Sequence, residues 1–69
     1  SELFRDAAGR LHAAGTLRLE DLGAALDLPL QRDDVDTVSG LVLSELGRPP
    51  AVGDVVRWGG ARLDVVGVA

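Results

Sequence analysis

Asp33, Asp34 and Asp36 place three carboxylates within four consecutive positions. Hard cations such as Mg²⁺ and Ca²⁺ take clustered carboxylate oxygens as ligands, so these three are the candidate metal ligands of the chain. Their spacing does not build a calcium loop. An EF-hand loop opened at Asp34 would put Asp36 in its third position, but Val38 in the fifth and Ser39 where glycine is required. Acids also collect ahead of helices, where they cap backbone N–H groups and suit the positive end of the dipole. On that reading the run is the polar approach to a helix starting near Val38.

The other reactive side chains are few. His12 is the single histidine and cysteine is absent, so no zinc site can be assembled around it. Ser39 and Ser44 fall in an apolar-periodic segment with no nucleophile elbow around them. His12 is therefore expected as a solvent-facing strand residue, without a catalytic role. Gly53, Gly59, Gly60 and Gly67 belong to no G-x-G-x-x-G leading into a helix, and the chain has no lysine for a P-loop. Trp58 is the one large aromatic, suited either to lid the core or to anchor an interface.

What must position these residues is a small domain. A chain of 69 residues buries only about 60% of the surface its unfolded form exposes, and here no disulfide adds to the core. Seven arginines face eleven carboxylates, for a net charge of −4, and they are dispersed along the chain. Nucleic-acid binding needs a basic face that displaces counterions from phosphates, so nucleic acid is not expected as a partner. Apolar runs are too short to insert this segment into a bilayer. The sequence lacks methionine, which suggests a domain excised from a longer chain.

Leu3-Phe4-Arg5 and the segment from Arg10 to Ala14 suit two short strands around the turn Asp6-Ala7-Ala8-Gly9. Leu19, Leu22 and Leu26 recur at helical spacing, with Arg18 or Leu19 in the N-cap position, neither a good capping residue. Leu28-Pro29 ends that helix. A second helix is predicted from Asp36 or Thr37 as cap, through the stripe Val38, Leu41, Val42 and Leu46, to Gly47 and the Pro49-Pro50 stop. Gly40 inside it implies close packing. Asp54 to Trp58, Gly59-Gly60 and Ala61 to Val68 read as a hairpin on a two-residue turn. The order ββααββ defines an α+β fold. It is expected as a small two-layer sandwich, an antiparallel or mixed sheet with both helices on one face. Leu22, Leu26, Leu41, Val42, Val56 and Leu63 are expected in its core.

With those elements placed, "AAG", "TLRLEDLGAALDLPL", "DVDTVSGLVLSELGRPPAVGDVV" and "ARLDVVGV" together resemble the transporter-associated domain of the CorC/HlyC family. The pattern falls on Gly15, Leu19, Leu22, Asp36, Thr37, Gly40, Gly47, Pro50, Gly53 and Asp54. The resemblance implies a non-catalytic domain with no cofactor, following a pair of CBS domains in a membrane protein of magnesium or cobalt efflux or hemolysin type. It implies a location on the cytoplasmic face of the membrane and a fold similar to part of the PCMH-like FAD-binding folds. The partners it implies are the CBS pair and membrane region of the same chain, or a second copy in a homodimer. Trp58, Val66 and Val68 are the candidate interface residues, because an unpaired C-terminal strand edge invites another chain. The alternative function is a sensor that binds a divalent cation or nucleotide through the run from Asp33 to Asp36.

Overall fold

A computed structural model describes all of residues 1–69. The observed order is β1 (Leu3–Arg5), β2 (Leu11–Ala13), α1 (Leu19–Leu26), α2 (Val38–Leu46), β3 (Val55–Trp58) and β4 (Ala61–Asp64). This is the expected ββααββ arrangement. Its strands form two separate antiparallel ribbons, β1–β2 and β3–β4, and no strand pairing joins them.

Each ribbon is closed by local chemistry. In the first, Leu3, Phe4 and Arg5 face Ala13, His12 and Leu11. Asp6 shapes the turn, its Oδ1 accepting the backbone N–H groups of Ala8 and Arg10 at 2.9 Å each. In the second ribbon Gly59 and Gly60 both have positive φ, 57° and 87°, which the mirror-image two-residue hairpin turn requires. The pairing runs one residue past β4, where Val65 exchanges backbone hydrogen bonds with Gly53 and Asp54 at 2.9 Å.

The helices begin differently. Thr37 caps α2, its hydroxyl accepting the Gly40 N–H at 3.1 Å, whereas Arg18 stands at the N-cap of α1 with no side-chain bond to the helix. The N–H of Leu19 is satisfied instead by the carbonyl of Asp36 at 2.8 Å. At the C-termini, Gly47 takes the left-handed conformation with φ 68°, and Asp27 does so with φ 55°, one of the few non-glycine residue types that tolerate it.

Leu17, Leu19, Leu22, Leu30, Val38, Leu41 and Ala61 form the buried cluster, with Leu3, Leu11, Leu63 and Trp58 packed on it from the ribbons. Of the six residues expected inside, Leu22, Leu41, Val42 and Val56 are buried and Leu63 is half-buried, but Leu26 is 37% exposed. Leu26 lies on the correct helical stripe. It is uncovered because it borders the gap between the ribbons. Leu17 and Leu30 enter the core from irregular segments just outside α1, where periodicity does not reach.

Close packing falls most heavily on Gly23. A Cβ there would stand 2.6 Å from the Leu28 carbonyl oxygen and 3.1 Å from the Leu30 nitrogen, whereas at Gly40 the nearest atom is the Thr37 hydroxyl at 3.2 Å. Gly23→Ala is therefore expected to destabilise by about 1–3 kcal/mol through overpacking against backbone, despite alanine's higher helix propensity. An equal or raised denaturation midpoint would show that the chain reversal after α1 can move aside.

Candidate functional site

The structure separates the candidate metal ligands. Asp34 pairs with Arg32 at 3.2 Å, and Asp36 contributes its backbone carbonyl to Leu19. Asp33 is exposed and makes no side-chain hydrogen bond or ion pair. No group of three His, Asp or Glu side chains converges anywhere in the domain. Arg32 is the organiser here, because it also binds Glu45 at 2.7 Å and lies 5.0 Å from the Trp58 ring centroid. One guanidinium thus ties the loop before α2 to the helix and to β3.

Trp58 is held in that network. Its Nε1–H donates to the Gln31 carbonyl at 3.2 Å, and its half-buried ring packs against the core, so it acts as a lid. Val66 and Val68 remain open, at 72% and 57% exposure. His12 departs from the expected solvent-facing residue. Its Nε2 lies 2.8 Å from Asp6 Oδ2 and its ring stacks on Phe4 at 4.8 Å between centroids. Asp6 is held below the usual carboxylate range, chiefly by the His12 hydrogen bond and then by the Arg10 N–H. No hydrogen bond joins His12 to Ser39 or Ser44.

Sequence reasoning gave Asp54 only a place in a pattern, yet it is the most strongly bound acid. Its carboxylate takes both ends of the Arg48 guanidinium, at 2.7 and 2.9 Å, and the Ala51 N–H at 2.7 Å. These bonds lower its pKa to about 2 and staple the Pro49-Pro50 loop to the start of β3. The G-D pair ahead of an apolar run was the available clue, since Gly53 has φ 98° and aims Asp54 back at the loop.

A groove of about 450 Å³ lies between the ribbons. Leu22 and Leu26 from α1 and Val38 and Val42 from α2 line it, with β2 on one side and the segment from Arg62 to Val68 on the other. Each ribbon has two strands, so each strand has one edge without a strand partner. Residues 66–69 make no backbone hydrogen bonds. An apolar groove beside open strand edges suits another extended segment.

The fold is that of a small α+β domain with two helices and two antiparallel ribbons. Residues 5–69 match the CorC_HlyC family, the transporter associated domain, and the chain belongs to that family. It is similar to the transporter associated domain CorC_HlyC from a Xylella fastidiosa Temecula1 hemolysin, solved in complex with Mg²⁺ and Mn²⁺. The TM-score is 0.87 at 28% identity, over 100% of this chain and 84% of that one. A second structure of that hemolysin domain gives a TM-score of 0.86 at 28% identity, over 100% and 81% of the two chains. No curated protein shows significant similarity to the chain.

Two measurements check these assignments. Thr37→Ala is expected to destabilise by about 0.5–2 kcal/mol as a lost cap, and Asp36→Ala to stay within about 0.5 kcal/mol; the reverse order in urea melts would return the capping role to Asp36. For pH, the depressed Asp54 carboxyl contributes stability that is complete above its ordinary value of 3.8 and is lost as pH falls towards about 2. Asp6 acts in the same direction. The melting temperature should hold from neutral pH down to about pH 5 and drop below about pH 4. Asp54→Asn should lower it at neutral pH and flatten the drop.

Proposed function

We propose that this domain is a non-catalytic regulatory and interaction module of a membrane ion-transport protein, which acts by contact with neighbouring parts of that protein. Family membership over residues 5–69 supports the transporter association. The observation that carries the contact role is the apolar groove with open strand edges and exposed Val66 and Val68. No helix here is long and apolar enough to cross a membrane, so in this proposal the spanning region lies elsewhere in the chain. The CBS pair of the same protein is the proposed partner, at the cytoplasmic face. Transport of magnesium or cobalt is part of the same proposal.

A module of this kind changes transport only by binding one state of the transporter better than another. Deleting it from the full-length protein is therefore expected to change the rate or set-point of ion flux while flux persists. Val66→Pro, which removes a backbone donor from the open edge, should reproduce part of that change. Abolished flux in a deletion protein that still folds and inserts would place transport machinery, rather than regulation, in these residues.

Direct cation sensing is the second reading, favoured by the related hemolysin domain's complex with Mg²⁺ and Mn²⁺. The dispersed Asp33, Asp34 and Asp36 side chains oppose it in this chain. Calorimetric titration with Mg²⁺ and Mn²⁺ decides between them. No saturable binding below about millimolar concentration is expected, whereas tight binding lost in Asp34→Ala would establish the sensor.

A further inference from the structure

The outer face of the β3–β4 ribbon has an unusual charge arrangement. Burial alternates along both strands, leaving Val55 and Arg57 on β3 and Arg62 and Asp64 on β4 turned to solvent, with exposed Val66 continuing the row. The register sets Arg57 directly opposite Arg62. Like charges facing each other across a ladder are unfavourable unless something neutralises them. Arg62 binds Asp64 at 3.0 Å, and Arg57 has no carboxylate partner. The pair flanks a shallow depression of about 360 Å³ around the Gly59-Gly60 turn. In a chain of net charge −4, this face carries two guanidiniums against one carboxylate, with Val55 and Val66 beside them.

We propose that the Arg57–Arg62 face of the β3–β4 ribbon docks an acidic protein segment bearing apolar side chains, a surface that meets the groove along Arg62, Asp64 and Val66 and extends beyond it over Val55 and Arg57. A carboxylate set between the two guanidiniums accepts charge-assisted hydrogen bonds and removes the cross-strand repulsion, while Val55 and Val66 receive the segment's apolar side chains. A second copy docked with this face on the two-fold axis does not fit, because that contact would set the arginine pair against its own image. A nucleic acid or an anionic bilayer does not fit either, since two guanidiniums on a net-acidic domain displace few counterions. The inference rests on the reading of the domain as an interaction module, and it names one partner's chemistry.

The probe is a synthetic peptide of alternating Glu and Leu, titrated into the ¹⁵N-labelled chain. Saturable amide shifts are expected at Val55, Arg57, Arg62, Asp64 and Val66, weakening as salt rises. Arg57→Glu should reduce affinity by about tenfold or more with an unchanged melting temperature, while Arg5→Glu, the same charge change on the other ribbon, should leave it intact. The proposal is overturned by an absence of shifts, by shifts confined to the groove residues with none at Val55 and Arg57, or by equal binding of a Lys–Leu peptide. Equal binding of inorganic pyrophosphate or phosphatidylglycerol vesicles at the same residues also overturns it. These outcomes are separate from the deletion experiment: flux can respond to loss of the domain while the Glu–Leu peptide fails to bind, and the regulatory reading then stands without this surface.

Discussion

Everything in this domain is built on two short segments that hydrogen-bond to each other just where the helices start. The Leu19 N–H donates to the Asp36 carbonyl at 2.8 Å, the Val38 N–H to Leu17 at 2.9 Å, and the Ser39 N–H to Gly15 at 2.9 Å. Arg18 and Thr37 are bridge partners in this antiparallel crossing. The first N–H groups of any helix have no partner within the helix. Here each helix takes those partners from the chain leading into the other. The arrangement fixes the spacing of α1 and α2 before any side chain is packed, and it explains how α1 begins at an arginine without a side-chain cap.

The crossing also determines where the core can be. Leu17 and Leu19 on one segment and Val38 on the other point into the same cluster, and Leu41, one turn into α2, is wholly buried beneath them. Gly15 is required at the edge of the crossing, because a Cβ there would stand 2.9 Å from the Ser39 Cβ. With the helices tied at their starts, the two ribbons pack from either side and do not pair with each other. The groove is the consequence, an apolar strip of both helices that two two-stranded ribbons are too narrow to cover. Full burial of a leucine is worth about 1.5–3 kcal/mol, so leaving Leu26 partly open forgoes stability that an additional strand would supply.

This division decides what could be read from the sequence. Thr37 with Gly47, and the Gly59-Gly60 turn, were legible because caps and tight turns are satisfied within a few residues. Leu26 was misplaced because a helical stripe reports the direction a residue faces and says nothing about whether a partner stands there. Gly23 and Leu30 were missed for the opposite reason. Their constraint comes from the chain folding back after α1, a contact with no periodic trace. Asp36 shows the limit most plainly. Its carboxylate suggested a ligand or a cap, but the fold uses its backbone carbonyl, a group every residue carries.

The charges follow the same logic. Asp6 forms the first turn, Asp54 staples the proline loop to β3, and Asp34 and Glu45 hold Arg32 beneath Trp58. In each case a carboxylate satisfies a nearby donor of a loop that a small core cannot hold by burial alone. Carboxylates used in this way are scattered, each beside its own loop, and no three of them converge. The arginines are distributed by the same demand: Arg18, Arg32, Arg48 and Arg62 are paired, Arg5, Arg10 and Arg57 have no carboxylate partner, and of these three Arg57 faces another arginine, Arg62, across the ladder. The groove's apolar strip and this arginine pair are thus parts of the surface that folding does not consume.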